Sequence, residues 1–251
     1  MALGRTFNMM LLVFIFILFL YGCAKMQVSS TPTSAGKSGS MARFTIVGNF
    51  MYAVSDNALH IFSLKEKDRP QLVQTLDIGW GIETIFSYKD LLFFGTRTGM
   101  LIYNISVPDN PLYVSEYQHI YSCDPIVVED GVVYVTLRSQ ALCRSGKNEL
   151  HIFDIKDPTA PILIRSYPMN NPWGLGIDRK KLFVCDGKYG LKIFDANDPE
   201  NIQILETIEY INGYDVIPYE HILIVSARDG LYQFDYSTNQ LKKLSRIPVG
   251  Y

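Results

Sequence analysis

Apolar and polar residues alternate along this chain in short runs, and the runs come back. Leu150-His151-Ile152-Phe153-Asp154-Ile155-Lys156-Asp157-Pro158 returns as Leu191-Lys192-Ile193-Phe194-Asp195-Ala196-Asn197-Asp198-Pro199. Weaker copies stand at Leu59 to Leu64, Met100 to Ile105 and Leu231 to Tyr236. Alternation with a period of two predicts strands, and the Asn-, Asp-, Gly- and Pro-rich breaks between runs predict turns. The copy around residue 191 shows the order best. Strands are predicted over Trp173 to Ile177, Leu182 to Cys185, Leu191 to Asp195 and Ile202 to Ile208. Asn197-Asp198-Pro199 falls between the last two, where a proline that cannot donate to a ladder belongs.

The aromatic anchors Phe62, Tyr103, Phe153, Phe194 and Phe234 stand 41, 50, 41 and 40 residues apart. A period near 40 built from short β-rich runs predicts an all-β fold, a β-propeller of about five four-stranded blades. The units cover about 42–78, 79–119, 120–169, 170–210 and 211–251. No unit reads as a polar cap, so the ring is expected to close blade against blade.

Val132-Val133-Tyr134-Val135, Lys181-Leu182-Phe183-Val184-Cys185-Asp186 and Ile222-Leu223-Ile224-Val225-Ser226 precede the Phe-Asp-x-x-Asp-Pro phrase or its relic. In these segments the chain resembles the LVIVD-repeat family of exported bacterial β-propellers, over nearly all of residues 42–251. The first unit's weak third strand and the missing Asp-Pro of the fifth depart from the pattern. The resemblance implies the fold and export, and says little about activity.

The first forty residues change the picture. Arg5 precedes an apolar stretch from Met9 to Tyr21, which is short for a membrane-spanning helix and fits a signal peptide over 1–22. Leu20-Tyr21-Gly22-Cys23 resembles a bacterial lipobox, although Tyr21 is bulky for its place. The resemblance implies a mature chain acylated at Cys23, each buried CH₂ adding roughly 0.8 kcal/mol of affinity for the bilayer. Residues 24–41 are rich in Ser, Thr, Gly and Pro, so 23–41 reads as a lipidated flexible tether. Ala24 and Lys25 lack the acidic residue that retains enterobacterial lipoproteins at the inner membrane, which directs the expectation to the outer membrane. A net charge of −2 gives no electrostatic reason for a nucleic-acid partner.

Candidate chemistry is sparse. His60, His151 and Lys192 share one repeat position and read as an exposed strand face; His119 and His221 lack partners at ligand spacing. Asp157 and Asp198 precede prolines as Asx-turn residues do. No calcium loop, phosphate loop or nucleophile elbow is present, so neither a cofactor nor a metal is expected, and no catalytic residue is assigned. The third unit is enlarged at Thr136 to Glu149, where Cys143 lies. Cys123 precedes the first strand of the same unit, and export permits a disulfide. Cys123–Cys143 is the expected pair, closing about twenty residues and worth roughly 3 kcal/mol, with Cys185 as the rival partner.

The same end of the ring collects Trp80, Trp173 and Tyr214 at the starts of innermost strands, with Glu83, Asp124 and Asp215 nearby. Rigid aromatics with carboxylates suit recognition, which makes this rim the candidate binding face for an unknown protein or glycan. The competing expectation is a hydrolase or lyase with a shallow site at the channel mouth.

Overall fold

The computed structural model describes residues 39–118, 125–139, 147–238 and 240–250. Twenty strands form five separate four-stranded antiparallel sheets, each built from consecutive strands. Blade 1 holds β1 (Phe44–Val47), β2 (Phe50–Val54), β3 (Ala58–Ser63) and β4 (Gln71–Asp77). Blade 2 holds β5 (Ile82–Tyr88), β6 (Leu91–Thr96), β7 (Gly99–Asn104) and β8 (Leu112–Gln118). Blade 3 holds β9 (Ile126–Glu129), β10 (Val132–Leu137), β11 (Glu149–Asp154) and β12 (Ile162–Pro168). Blade 4 holds β13 (Leu175–Asp178), β14 (Lys181–Cys185), β15 (Leu191–Asp195) and β16 (Gln203–Ile208). Blade 5 holds β17 (Gly213–Tyr219), β18 (Ile222–Ala227), β19 (Gly230–Asp235) and β20 (Lys242–Pro248). The fold is the five-bladed β-propeller that the periodicity predicts, with the first strand of each blade innermost.

The repeated Ile-Phe phrase is the hinge of the packing. In every blade the third and fourth strands shift register between these two residues, a bulge that adds twist at the same place. Neighbours along a strand face opposite sides, so the pair serves two layers at once. Ile61, Ile102, Ile152 and Ile193 are fully buried against the following blade. Phe153, Phe194 and Phe234 are buried against the preceding one. Each such isoleucine contributes roughly 2 kcal/mol by burial. The acidic or amide residue that follows the anchor closes an Asx turn. Asn104, Asp154, Asp195 and Asp235 each accept the backbone N–H two residues on, at 2.7–2.9 Å. Asp157 and Asp198 do the same at 2.9 and 3.0 Å.

Each of the other neighbouring pairs of blades shares a buried apolar cluster, but among the described residues none spans blades 5 and 1, which departs from the expected closure of blade against blade. The isoleucine position of blade 5 is Gln233, which is exposed and accepts a 2.7 Å hydrogen bond from Ser245 Oγ. Ser226 on the same face is exposed too, and Leu231 is 36% exposed. On blade 1 the matching face carries Phe44, 52% exposed, with Ile46, Met51, Ala53, His60 and Phe62 half-buried. The fifth unit is therefore a partly polar cap, and Gln233 is the residue that signals it.

Two further expectations change. The His60, His151 and Lys192 position is no exposed face, because third strands lie inside the blades. His151 is buried with Nε2 2.7 Å from Glu149 Oε2, and Lys192 pairs with buried Asp186 at 2.6 Å. The chain is also ordered upstream of Ala42. Gly39 and Ser40, read from composition as the end of the tether, are buried.

Candidate functional site

The connections that lead into the innermost strands meet at one end of the propeller, the channel mouth. Gly79 and Gly81 adopt φ of +100° and +75°, a left-handed backbone that side chains disfavour, and carry Trp80 between them. Trp80 is 80% exposed. Arg97, at the end of β6, lies across from Gly81, whose carbonyl accepts the Arg97 backbone N–H at 2.9 Å. Its guanidinium reaches Glu83 Oε1 through Nε at 3.2 Å and Asp56 Oδ1 through Nη2 at 3.5 Å.

On the opposite side of the mouth Trp173 is half-buried and fixed by its backbone. Its N–H donates to the Cys185 carbonyl at 2.7 Å, and its carbonyl accepts Thr136 Oγ1 at 2.5 Å. Its ring meets Tyr214 edge-on at 5.1 Å. The Arg138 guanidinium lies over the Trp173 ring, 3.4 Å from its centroid. Burial pulls the Arg138 pKa below its ordinary value, and the Glu83 charge partly restores it. Arg138, which falls in the enlarged connection from Thr136 to Glu149, is thus buried. The physical reason is that β10 and β11 pair as far as Leu137 and Glu149, which draws Arg138 to the sheet end.

Asp186, directly after β14, is fully buried and holds the approach to Trp173. It accepts the backbone N–H of Asn170 at 3.1 Å and of Asn171 at 2.7 Å, besides the Lys192 ion pair. The N-terminal segment crosses the channel. Ser40 Oγ accepts the Leu175 N–H at 2.8 Å and donates to Asp215 Oδ1 at 3.1 Å. A Cβ on Gly174 would collide with the Asp215 carboxylate, so glycine is what permits this approach. Burial pushes Asp215 up to about 6, against the hydrogen bonds from Val216, Ser40 and Met41 that lower it.

A cavity of about 290 Å³ connects the two sides, lined by Met41, Arg43, Asp56, Ile82, Glu83, Thr84, Arg97, Pro125 and Arg138. The structure therefore joins Trp173 with Tyr214 and places Glu83 on the cavity wall, with Trp80 two residues before the lining residue Ile82 and not itself in the wall. It sets Asp215 under Ser40, away from the exposed rim. Sequence reading missed Arg43, Asp56, Arg97 and Ser40. The antiparallel pairing of β5 with β6 was the available signal for Arg97, since it sets the end of one opposite the start of the other. Cys23, Cys123, Cys143 and Asp124 lie outside the described residues. Cys185 is a free thiol in the apolar layer between blades 4 and 5, pushed well above its ordinary pKa by burial. That removes it as the rival disulfide partner. Among the described residues no three His, Cys, Asp or Glu side chains converge as a metal site.

No family model matches the chain, and no curated protein matches it. Solved structures do. A functionally unknown protein from Desulfotomaculum acetoxidans superposes with a TM-score of 0.66 at 13% identity, over 87% of this chain and 70% of that one. The periplasmic gluconolactonase of Pseudomonas aeruginosa gives 0.62 at 13% identity, over 81% and 68%. A putative 6-phosphogluconolactonase from Bacteroides fragilis gives 0.59 at 17% identity, over 87% and 71%. At these identities the likeness is one of fold.

Proposed function

We propose that the protein is a non-catalytic β-propeller lipoprotein of the LVIVD-repeat kind, anchored in the outer membrane through acylated Cys23. In this reading it binds a protein or glycan through the channel-mouth rim. Exposed Trp80 carries the reading. A tryptophan that is 80% exposed between two left-handed glycines has no packing role to lose, and large rigid aromatics are the usual anchors of recognition. Arg138 stacked on Trp173 and the backbone bonds of Trp173 support it, because they pre-organise the rim before a partner arrives. Full-length protein labelled in growing cells with a radioactive fatty acid tests the anchor. Labelling that Cys23→Ser abolishes supports the lipoprotein; labelling that survives it removes that part.

The second reading is a hydrolase acting on a sugar lactone, favoured by the gluconolactonase and the putative 6-phosphogluconolactonase among the similar structures. Among the described residues of the mouth, its chemistry would come from Glu83 or Asp56, both bound to Arg97, or from Asp215, which Ser40 covers. Turnover of gluconolactone by the purified protein, lost on Glu83→Gln, would establish that reading over the first.

A further inference from the structure

The cavity at the channel mouth has a chemistry of its own. Three arginines, Arg43, Arg97 and Arg138, and two acidic residues, Asp56 and Glu83, line it. Both carboxylates are engaged by Arg97, which uses Nε for Glu83 and Nη2 for Asp56, so that N–H donors of the same guanidinium remain outside these two ion pairs. Arg43 makes one long contact, from Nη2 to the Val54 carbonyl at 3.5 Å. Two arginines with forked donors thus line a space of about 290 Å³, near the lower limit for small-ligand sites. Its apolar wall is limited to Met41, Ile82 and Pro125, which gives a peptide side chain little to bury against. Asp56 and Glu83 can still accept hydrogen bonds from hydroxyl groups, and Trp80, two residues before the lining residue Ile82, leaves an indole 80% exposed in the connection that leads into this wall.

We propose, resting on the rim reading above, that this cavity binds the carboxylate of an acidic sugar, with Arg43 and Arg97 gripping the carboxylate and Trp80 stacking on a sugar ring. A carboxylate matches forked guanidiniums in two parallel hydrogen bonds, and hydroxyls match the flanking Asp56 and Glu83. Arg138, desolvated against Trp173, adds positive potential from beneath.

Calorimetric titration of the full chain in detergent micelles with trigalacturonate, neutral galactotriose and a short acidic peptide tests this. Trigalacturonate should bind at least about tenfold more tightly than galactotriose, the equivalent of about 1.4 kcal/mol. Its affinity should fall as salt is raised. Arg43→Gln, whose side chain makes a single long contact, should weaken binding about tenfold with the unfolding midpoint unchanged, and Trp80→Ala should weaken both sugars alike. Equal binding of the two sugars overturns the carboxylate assignment while leaving a glycan at the rim. Binding of neither sugar, of the peptide in preference, or of trigalacturonate equally by Arg43→Gln, overturns the inference outright.

Discussion

Ser40 donates its hydroxyl hydrogen to an Asp215 carboxylate oxygen at 3.1 Å, joining the segment before β1 to the innermost strand of blade 5. The same hydroxyl accepts the Leu175 N–H at 2.8 Å, so one serine links the incoming segment to blades 4 and 5. Ala42 completes the crossing by accepting the Ile85 N–H from blade 2 at 3.0 Å.

Asp215 makes this clamp sensitive to pH. Its folded pKa, about 6, lies above the ordinary 3.8 because burial disfavours the charge. A raised carboxylate pKa means that protonation stabilises the fold. The gain is complete below about pH 4 and is lost as pH rises through 6. The difference of about two units is of the order of 2–3 kcal/mol. Urea midpoints of wild type and Asp215→Asn, compared at pH 4.5 and 7.5, should show wild type losing ground to the variant at the higher pH. Parallel pH curves would show that the carboxylate is not desolvated.

Asp186 should matter more than its place in a turn suggests. Removing it leaves Lys192 and two backbone N–H groups without their buried acceptor, a loss of about 3–5 kcal/mol for a broken buried pair. Asp186→Ala should therefore lower the denaturation midpoint sharply, and Lys192→Met, which removes the charge but keeps the length, should cost less. Because Asn170 and Asn171 lead to Trp173, the near-ultraviolet circular dichroism of the tryptophans should change with Asp186→Ala. A variant with an unaltered midpoint would contradict the role given to Asp186.

The Ile-Phe phrase allows a paired test of the cap. Ile193→Gln puts an amide into the layer between blades 4 and 5, losing roughly 2 kcal/mol of burial and adding an unsatisfied polar group of about 1–3 kcal/mol. Gln233→Ile makes the reverse change on an exposed face and should move stability by no more than about 0.5 kcal/mol. Denaturation of the two variants checks the asymmetry, and a large loss from Gln233→Ile would mean that this face is packed after all.

Much of the fold was legible in the sequence. The 40-residue return of Ile-Phe-Asp marks a position where one residue serves the following blade, the next serves the preceding blade, and the third closes a turn. Strand predictions in blade 4 fall within two residues of the observed ends. What the repeat could not convey is how its ends are treated. Gln233 in place of isoleucine was visible, but its meaning depends on knowing which side of the strand meets the next blade. The site was half legible. Trp80, Trp173, Tyr214 and Glu83 announce themselves by type and by place before innermost strands. Arg97 and Arg138 were obscured because they come from second-strand ends, brought to the mouth by register rather than by proximity in sequence. Asp215 looked like a rim residue until Ser40, from a segment with the composition of a linker, was seen to cover it.

The central claim is that the mouth around Trp80 is the face that meets a partner. A photoreactive amino acid at position 80 of the full chain, activated in intact cells, tests it most directly against the same label at Leu72, which is 57% exposed on the outer strand of blade 1. The account predicts a discrete adduct from position 80, diminished by Arg97→Gln, and none from position 72. Adducts from position 72 in place of position 80, or equally from both, would contradict it.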